Sequence, residues 1–204
     1  LQNPLVSGNF SDFFEAFSAP YYYNQPHAGL YRPLTTASYN LNKVFSSEPF
    51  GFHLINILLN ALNGFLVFLL FSKLTFQKIV PGFTGKRSAL LAMTLFLFLP
   101  IHSEAVSAIV GRAELLSFLF LALSLLFVLN KRYALASLLL LAGLLSKETA
   151  AGFFLVFLYM WKFRLIRTNG SQGDPTSNGI KQIFYNSLYF VPSVAIYAIM
   201  RASV

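Results

Sequence analysis

The apolar positions fall in long uninterrupted runs punctuated by short basic clusters, not at the spacing of an amphipathic helix or the alternation of a half-buried strand. Residues 50–71 form the clearest run, about the 20 residues that a bilayer core requires, and Lys73 and Lys78 close it. A second run, 88–101, follows Lys86-Arg87 and ends around Pro100; a third, 115–129, is closed by Lys131-Arg132. Residues 133–161 are apolar except for Ser146-Lys147-Glu148, and Lys162, Arg164 and Arg167 follow them. A last run, 183–200, contains Pro192. Ahead of all these, residues 1–49 are mixed and rich in proline and glycine, which break any long helix apart from an aromatic stretch around Phe10 to Phe17.

Two topologies are open for 133–161. One long helix would put Lys131-Arg132 and the cluster from Lys162 to Arg167 on opposite sides of a membrane, against the tendency of short basic loops to stay cytoplasmic. A hairpin keeps both on one side, with two short spans meeting at Ser146-Lys147-Glu148. With the hairpin, the pattern predicts an all-α polytopic transmembrane helical bundle of about six spans, near 50–71, 88–101, 115–129, 133–145, 149–161 and 183–200. Residues 1–49 become a structured first non-cytoplasmic loop, 50–204 the membrane core, and 162–182 a cytoplasmic linker.

Composition agrees with a membrane class: 56% of the residues are hydrophobic, 17% aromatic and only 11% charged, with a mean hydropathy of +0.62. A formal net charge of +8 could suggest nucleic acid, but the basic residues cluster between apolar runs and read as topology signals; no nucleic-acid partner is expected. Cysteine is absent, which removes disulfides, thiolate metal sites and thiol nucleophiles. The chain opens on Leu1-Gln2-Asn3-Pro4 and reads as a piece of a longer protein. Placing each basic cluster in the cytoplasm puts six of the seven acids on the other face.

Polar residues inside or beside the apolar runs are the candidates for chemistry. His53, Asn56, Asn60 and Asn63 share one face of the first predicted span, either as a seam bonding neighbouring helices or, for His53 near its outer end, as part of a site. If the backbone is helical from Ser103 onward, Glu104, Ser107, Gly111 and Glu114 share a face and Arg112 flanks Glu104. Ionisable residues at membrane depth pair or line a pathway, so Glu104 with Arg112 is the expected pair, its plainer role being to orient two helices. Lys147 at the proposed outer turn could hold an anionic group, with Glu148 setting its position or capping the next helix; ordinary turn chemistry is the alternative. Tyr31-Arg32 offers an aromatic platform and a guanidinium suited to phosphate. Asp12 and Glu15, among Phe10, Phe13, Phe14 and Phe17, suit an amphipathic helix resting at an interface. Asn9-Phe10-Ser11 fits a glycosylation sequon, and His27 stands alone. No zinc spacing, glycine-rich phosphate loop or Ser-His-Asp arrangement is present in the sequence.

Tyr31-Arg32-Pro33-Leu34, the stretch from Gly51 to Asn56, His102-Ser103-Glu104-Ala105-Val106, the stretch from Gly111 to Leu116, and Ser146-Lys147-Glu148 together resemble one family in order and spacing. It is the transmembrane and tetratricopeptide-repeat (TMTC-like) O-mannosyltransferases of the GT-C glycosyltransferase superfamily. The resemblance implies a multi-pass enzyme that moves a hexose, mannose above all, from a polyprenyl-phosphate donor to a protein Ser or Thr hydroxyl at the non-cytoplasmic face. It implies a site in which Arg112, Lys147 and Arg32 hold the donor phosphate, Glu104 and His102 order the sugar, acceptor or a cation, and Tyr31, His53, Asn56, Glu114 and Glu148 support them. The family's acidic pair, with the aspartate that acts as general base, is expected upstream of Leu1, and the repeats downstream. A divalent cation is left open. The partners implied are the lipid-linked donor, a protein acceptor and membrane lipid, in an endoplasmic reticulum or bacterial inner membrane. Rival readings are a transporter or lipid flippase whose buried charges line a path, and a non-catalytic membrane anchor for a repeat scaffold.

Overall fold

A computed structural model describes residues 3–22, 29–73, 85–156 and 185–204, and among them all regular structure is helical. His27, Lys78, the cluster from Lys162 to Arg167, the linker with Asp174, the end of the predicted 149–161 span (157–161) and the start of 183–200 lie outside the described residues.

The first predicted span folds as a 25-residue helix, α3 (Pro49–Lys73), about 37 Å long at the α-helical rise. Proline suits its first position because the first backbone N–H groups have no intrahelical acceptor. One face buries Phe52, Asn56, Asn63, Leu66, Val67 and Leu70, while Leu54, Ile57, Leu58, Leu62 and Phe65 are exposed on the other. A long apolar face left uncovered suits lipid better than water. Among the described residues two helices are long and apolar enough to cross a membrane: α3, and the stretch Ile109–Leu129 that contains α6 (Arg112–Leu129). Between them α4 (Gly85–Phe98) packs tightly on α3, where a Cβ added at Gly64 would lie 2.7 Å from the Leu97 side chain.

Helix α6 turns back at Asn130 to Arg132, where Lys131 takes a positive φ of 59°, into α7 (Tyr133–Ser146). Ser124 Oγ donates to the Ala136 carbonyl at 2.7 Å across this hairpin, and Leu116, Leu119, Leu125, Leu126, Leu140 and Leu144 form its core. At the same end Lys73 Nζ donates to Asn130 Oδ1 at 3.0 Å, so the far ends of α3 and α6 meet. Helix α7 stops at Ser146, Lys147 is extended, and the 3-10 segment Glu148–Gly152 returns to place Ala150 against Gly143.

The last helix is shorter than the pattern predicts. Pro192 sits in the first turn of α8 (Val191–Ala202) and not inside a continuous span, and a turn at Tyr189 and Phe190 separates α8 from the helical residues 185–188. A proline ring clashes with the carbonyl four residues back, here Leu188, the last helical residue before the turn. Ser137 and Ser193 then bridge α7 and α8 at 2.6 Å.

Residues 3–22 and 29–48 cap the other end of the bundle. They carry the short α1 (Phe10–Glu15) and a 13-residue helix, α2 (Pro33–Phe45), that the turn-rich composition hid. Pro33 starts α2 instead of breaking it. Its polarity is inverted: Thr35, Thr36, Asn40 and Asn42 are buried, while Leu41, Val44 and Phe45 are exposed.

Candidate functional site

The inward polar face of α2 surrounds Arg112, the largest fully buried side chain, at 1% exposure. Arg112 Nε donates to Asn56 Oδ1 at 3.0 Å, Nη1 to the Ser38 carbonyl at 3.2 Å, and Nη2 to Asn42 Oδ1 at 2.8 Å and the Phe52 carbonyl at 3.0 Å. The guanidinium also lies over the rings of Tyr39 and Phe52, at 4.9 and 5.4 Å from their centroids. Asn56 Nδ2 donates onward to the Ala108 carbonyl at 3.1 Å and Tyr39 Oη to the Ile109 carbonyl at 3.0 Å. One buried cation thereby ties α2, α3 and the start of α6 together through neutral acceptors, with the ring faces adding attraction.

This corrects two expectations. Glu104 does not pair with Arg112: it is exposed on α5 (Ile101–Ser107), and the four hydrogen bonds of Arg112 go to neutral groups. The continuous helix expected from Ser103 to Glu114 is broken, because Ala108 is extended (φ −84°, ψ 129°) and Ile109–Gly111 is a 3-10 turn. The shared face of Glu104, Ser107, Gly111 and Glu114 therefore does not form. At Gly111 an added Cβ would lie 2.2 Å from the Ala105 carbonyl oxygen, so α5 folds directly onto the glycine backbone.

Nearer the surface, two ion pairs join the cap to the α7 turn. Arg32, the residue preceding α2, donates through Nε to Glu148 Oε2 at 3.2 Å and through Nη2 to Glu148 Oε1 at 2.7 Å. Its guanidinium lies 5.3 Å from the Tyr21 ring centroid. Burial opposes ionisation of Glu148, but the hydrogen bonds and charge of Arg32 outweigh it and hold the carboxyl below its ordinary range. Thr35 Oγ1 donates to the Ser146 carbonyl at 2.8 Å just beside this pair. Lys147 Nζ donates to Glu114 Oε1, in the first turn of α6. Lys147 thus takes its carboxylate from α6, and Glu148 neither positions it nor caps a following α-helix.

The structure accordingly brings together Arg32, Glu114, Lys147 and Glu148, with Tyr31 behind Arg32, its hydroxyl donating to the Phe17 carbonyl at 2.7 Å. Asn56 belongs to the Arg112 clasp, and His53 is half-buried one turn earlier on α3. His102 lies on α5 with Glu104, its ring tilted against Phe96 with centroids 4.2 Å apart, and among the described residues no hydrogen bond joins the two to the ion pairs. Asn60 and Asn63 each carry a buried Oδ1 without a partner among the described residues, although Asn63 Nδ2 donates to the Leu115 carbonyl. Among the described residues no group of three or more His, Asp or Glu side chains is placed to hold a metal ion. The residues missed in the sequence are Ser38, Tyr39 and Asn42; polar side chains recurring at helical spacing after Pro33 were the available signal.

The described residues form an all-helical fold with two candidate membrane spans and a polar cap over one end. No family model matches the chain, and no solved structure matches it. Protein O-mannosyl-transferase TMTC3 of Mus musculus is 41% identical to it over 91 residues, 44% of this chain and 9% of the relative. TMTC4 of the same species is 42% identical over 104 residues, 46% of this chain and 14% of the relative, and Tmtc1 of Drosophila melanogaster is 37% identical over 130 residues, 60% and 14%. The chain is TMTC-like over about half its length, and the matched regions span 9 to 14% of these relatives.

Proposed function

We propose that this chain is part of a membrane glycosyltransferase of GT-C type, which moves a hexose from a polyprenyl-phosphate donor to a protein hydroxyl at the non-cytoplasmic face. Mannose is the sugar that the relatives' names suggest. One observation carries the reading: Arg32 and Lys147, far apart in sequence, converge with their carboxylates on the rim where the cap meets the bundle, as a lipid-borne phosphate would require. The reading keeps six spans, with the rim on the outer side and the Lys73 and Asn130 end in the cytoplasm.

In the reaction the acceptor hydroxyl gives its proton to a carboxylate general base, its oxygen bonds to the anomeric carbon as the bond from that carbon to the phosphate oxygen breaks, and the electron pair leaves with the lipid phosphate. Cations at that oxygen stabilise the developing charge. We assign this to Lys147 and Arg32, and not to Arg112, whose guanidinium is enclosed. Glu104, exposed on α5, and His102 are assigned to ordering the sugar or acceptor, and the uncovered face of α3 to the lipid that surrounds the donor's chain. Sugar transfer from a radiolabelled mannosyl polyprenyl phosphate, measured with the full-length protein in liposomes, tests the reading. Lys147→Met is expected to lower turnover by about 100-fold, the loss typical of removing one oxyanion-stabilising donor. Wild-type turnover in both Lys147→Met and Glu104→Gln would sink the assignment.

A further inference from the structure

We infer that Glu114 is an internal competitor for the donor phosphate: it occupies Lys147 while the site is empty and releases it when a prenyl phosphate binds. The inference rests on the proposed function and adds an exchange step to it. The two ion pairs on the rim are built differently. Arg32 is fixed by two hydrogen bonds to Glu148, by the Tyr21 ring and by its place at the start of α2. Lys147 has a single-point contact to Glu114, whose side chain is 51% exposed while the lysine's is 18% exposed. A half-exposed lysine–carboxylate pair is weak, because water solvates the carboxylate almost as well as the lysine does. Arg–carboxylate pairs made through two bonds hold their geometry more firmly.

Lys147 is also placed to change partners. It is the one extended residue between α7 and the 3-10 segment, so its backbone is held from both sides while its four-carbon side chain can swing. Glu114 lies in the first turn of α6, where the helix dipole favours a carboxylate with or without a lysine beside it. When Lys147 leaves, Glu114 therefore turns to water at the surface. The ammonium then donates to a non-bridging phosphate oxygen, with no proton transferred, and Arg32 keeps Glu148. Such an arrangement keeps the empty rim near neutral and weakens retention of the product, a prenyl phosphate more highly charged than the donor diester.

The experiment is a binding titration of farnesyl phosphate to the full-length protein in detergent by calorimetry, with inorganic phosphate as the arm without a lipid. Glu114→Gln is expected to tighten farnesyl phosphate binding about fivefold, the scale of an exposed ion pair removed from the competition. Glu48→Gln, which removes an exposed acid from the same end of the bundle without touching Lys147, is expected to leave it unchanged. Lys147→Met should weaken binding and erase the Glu114→Gln gain in the double variant. Unchanged or weaker binding by Glu114→Gln, or an equal gain from Glu48→Gln, overturns the inference alone. Should Glu114→Gln fail to fold by its thermal transition, Glu114→Ala replaces it with the same expectation. Failure of the wild type to bind farnesyl phosphate sinks the proposed donor, and the inference with it; equal affinity for inorganic phosphate would also overturn it, by removing the lipid from the site.

Discussion

Arg112 carries a charge into the interior and, among the described residues, meets no carboxylate there. Its cost is offset because four hydrogen bonds and two ring faces replace the water it loses. Truncation would strand Asn42, Asn56 and the Ser38 and Phe52 carbonyls, each worth about 1–3 kcal/mol if left unpaired. Arg112→Met is therefore expected to cost about 3 kcal/mol or more, read as a lowered Tm in detergent, with Arg112→Lys only partly restoring it since an ammonium lacks the planar fork. Glu148 gives a pH dependence of known sign. Its carboxyl titrates lower in the folded chain than in the unfolded one. The contribution of the Arg32 pair is thus fully present above the ordinary carboxylate value of about 4.3 and is lost as pH falls through the lower folded value. Tm followed downward through this window should decline more steeply in the wild type than in Glu148→Gln; equal slopes would remove the pair from the stability of the cap.

The elements show where local pattern and packing part company. Helices α3, α6 and α7 were legible because apolar runs of the right length, closed by basic residues, leave a chain in lipid no other way to satisfy its backbone. Helix α2 was hidden because it turns polar residues inward, the reverse of the usual rule, and only Arg112 on another helix explains why. The break at Ala108 was hidden as well. Nothing in the stretch from Ile101 to Glu114 forbids a helix, and the chain bends there so that α5 can lie on the bare backbone of Gly111. Gly111→Ala is expected to cost about 1–3 kcal/mol, since the clash is with backbone that cannot swing aside. A Tm unchanged from the wild type would show that α5 does not rest on that glycine.

For the molecule as a membrane protein, the decisive expectation is sidedness. The chain contains no cysteine, so single introduced thiols report unambiguously. Ser47 and Ser72 are exposed at opposite ends of α3. In sealed microsomes an impermeant maleimide should reach Ser72→Cys directly and Ser47→Cys only after permeabilisation. Labelling of both from the same side would mean that α3 does not cross.

The order of residues is enough to set the helical class, the two longest apolar helices and the gathering of polar residues at one end, because those properties depend on composition within a single segment and on backbone bonds made three or four residues away. Partner choice was beyond it. Arg32 finds Glu148, Lys147 finds Glu114, and Arg112 finds Asn42 and Asn56 instead of Glu104. Each of these pairings joins elements distant along the chain, and each is fixed by how α2 seats on α3, α6 and the α7 turn. Spacing encodes which side chains share a face; it carries no record of what the neighbouring helix presents to that face.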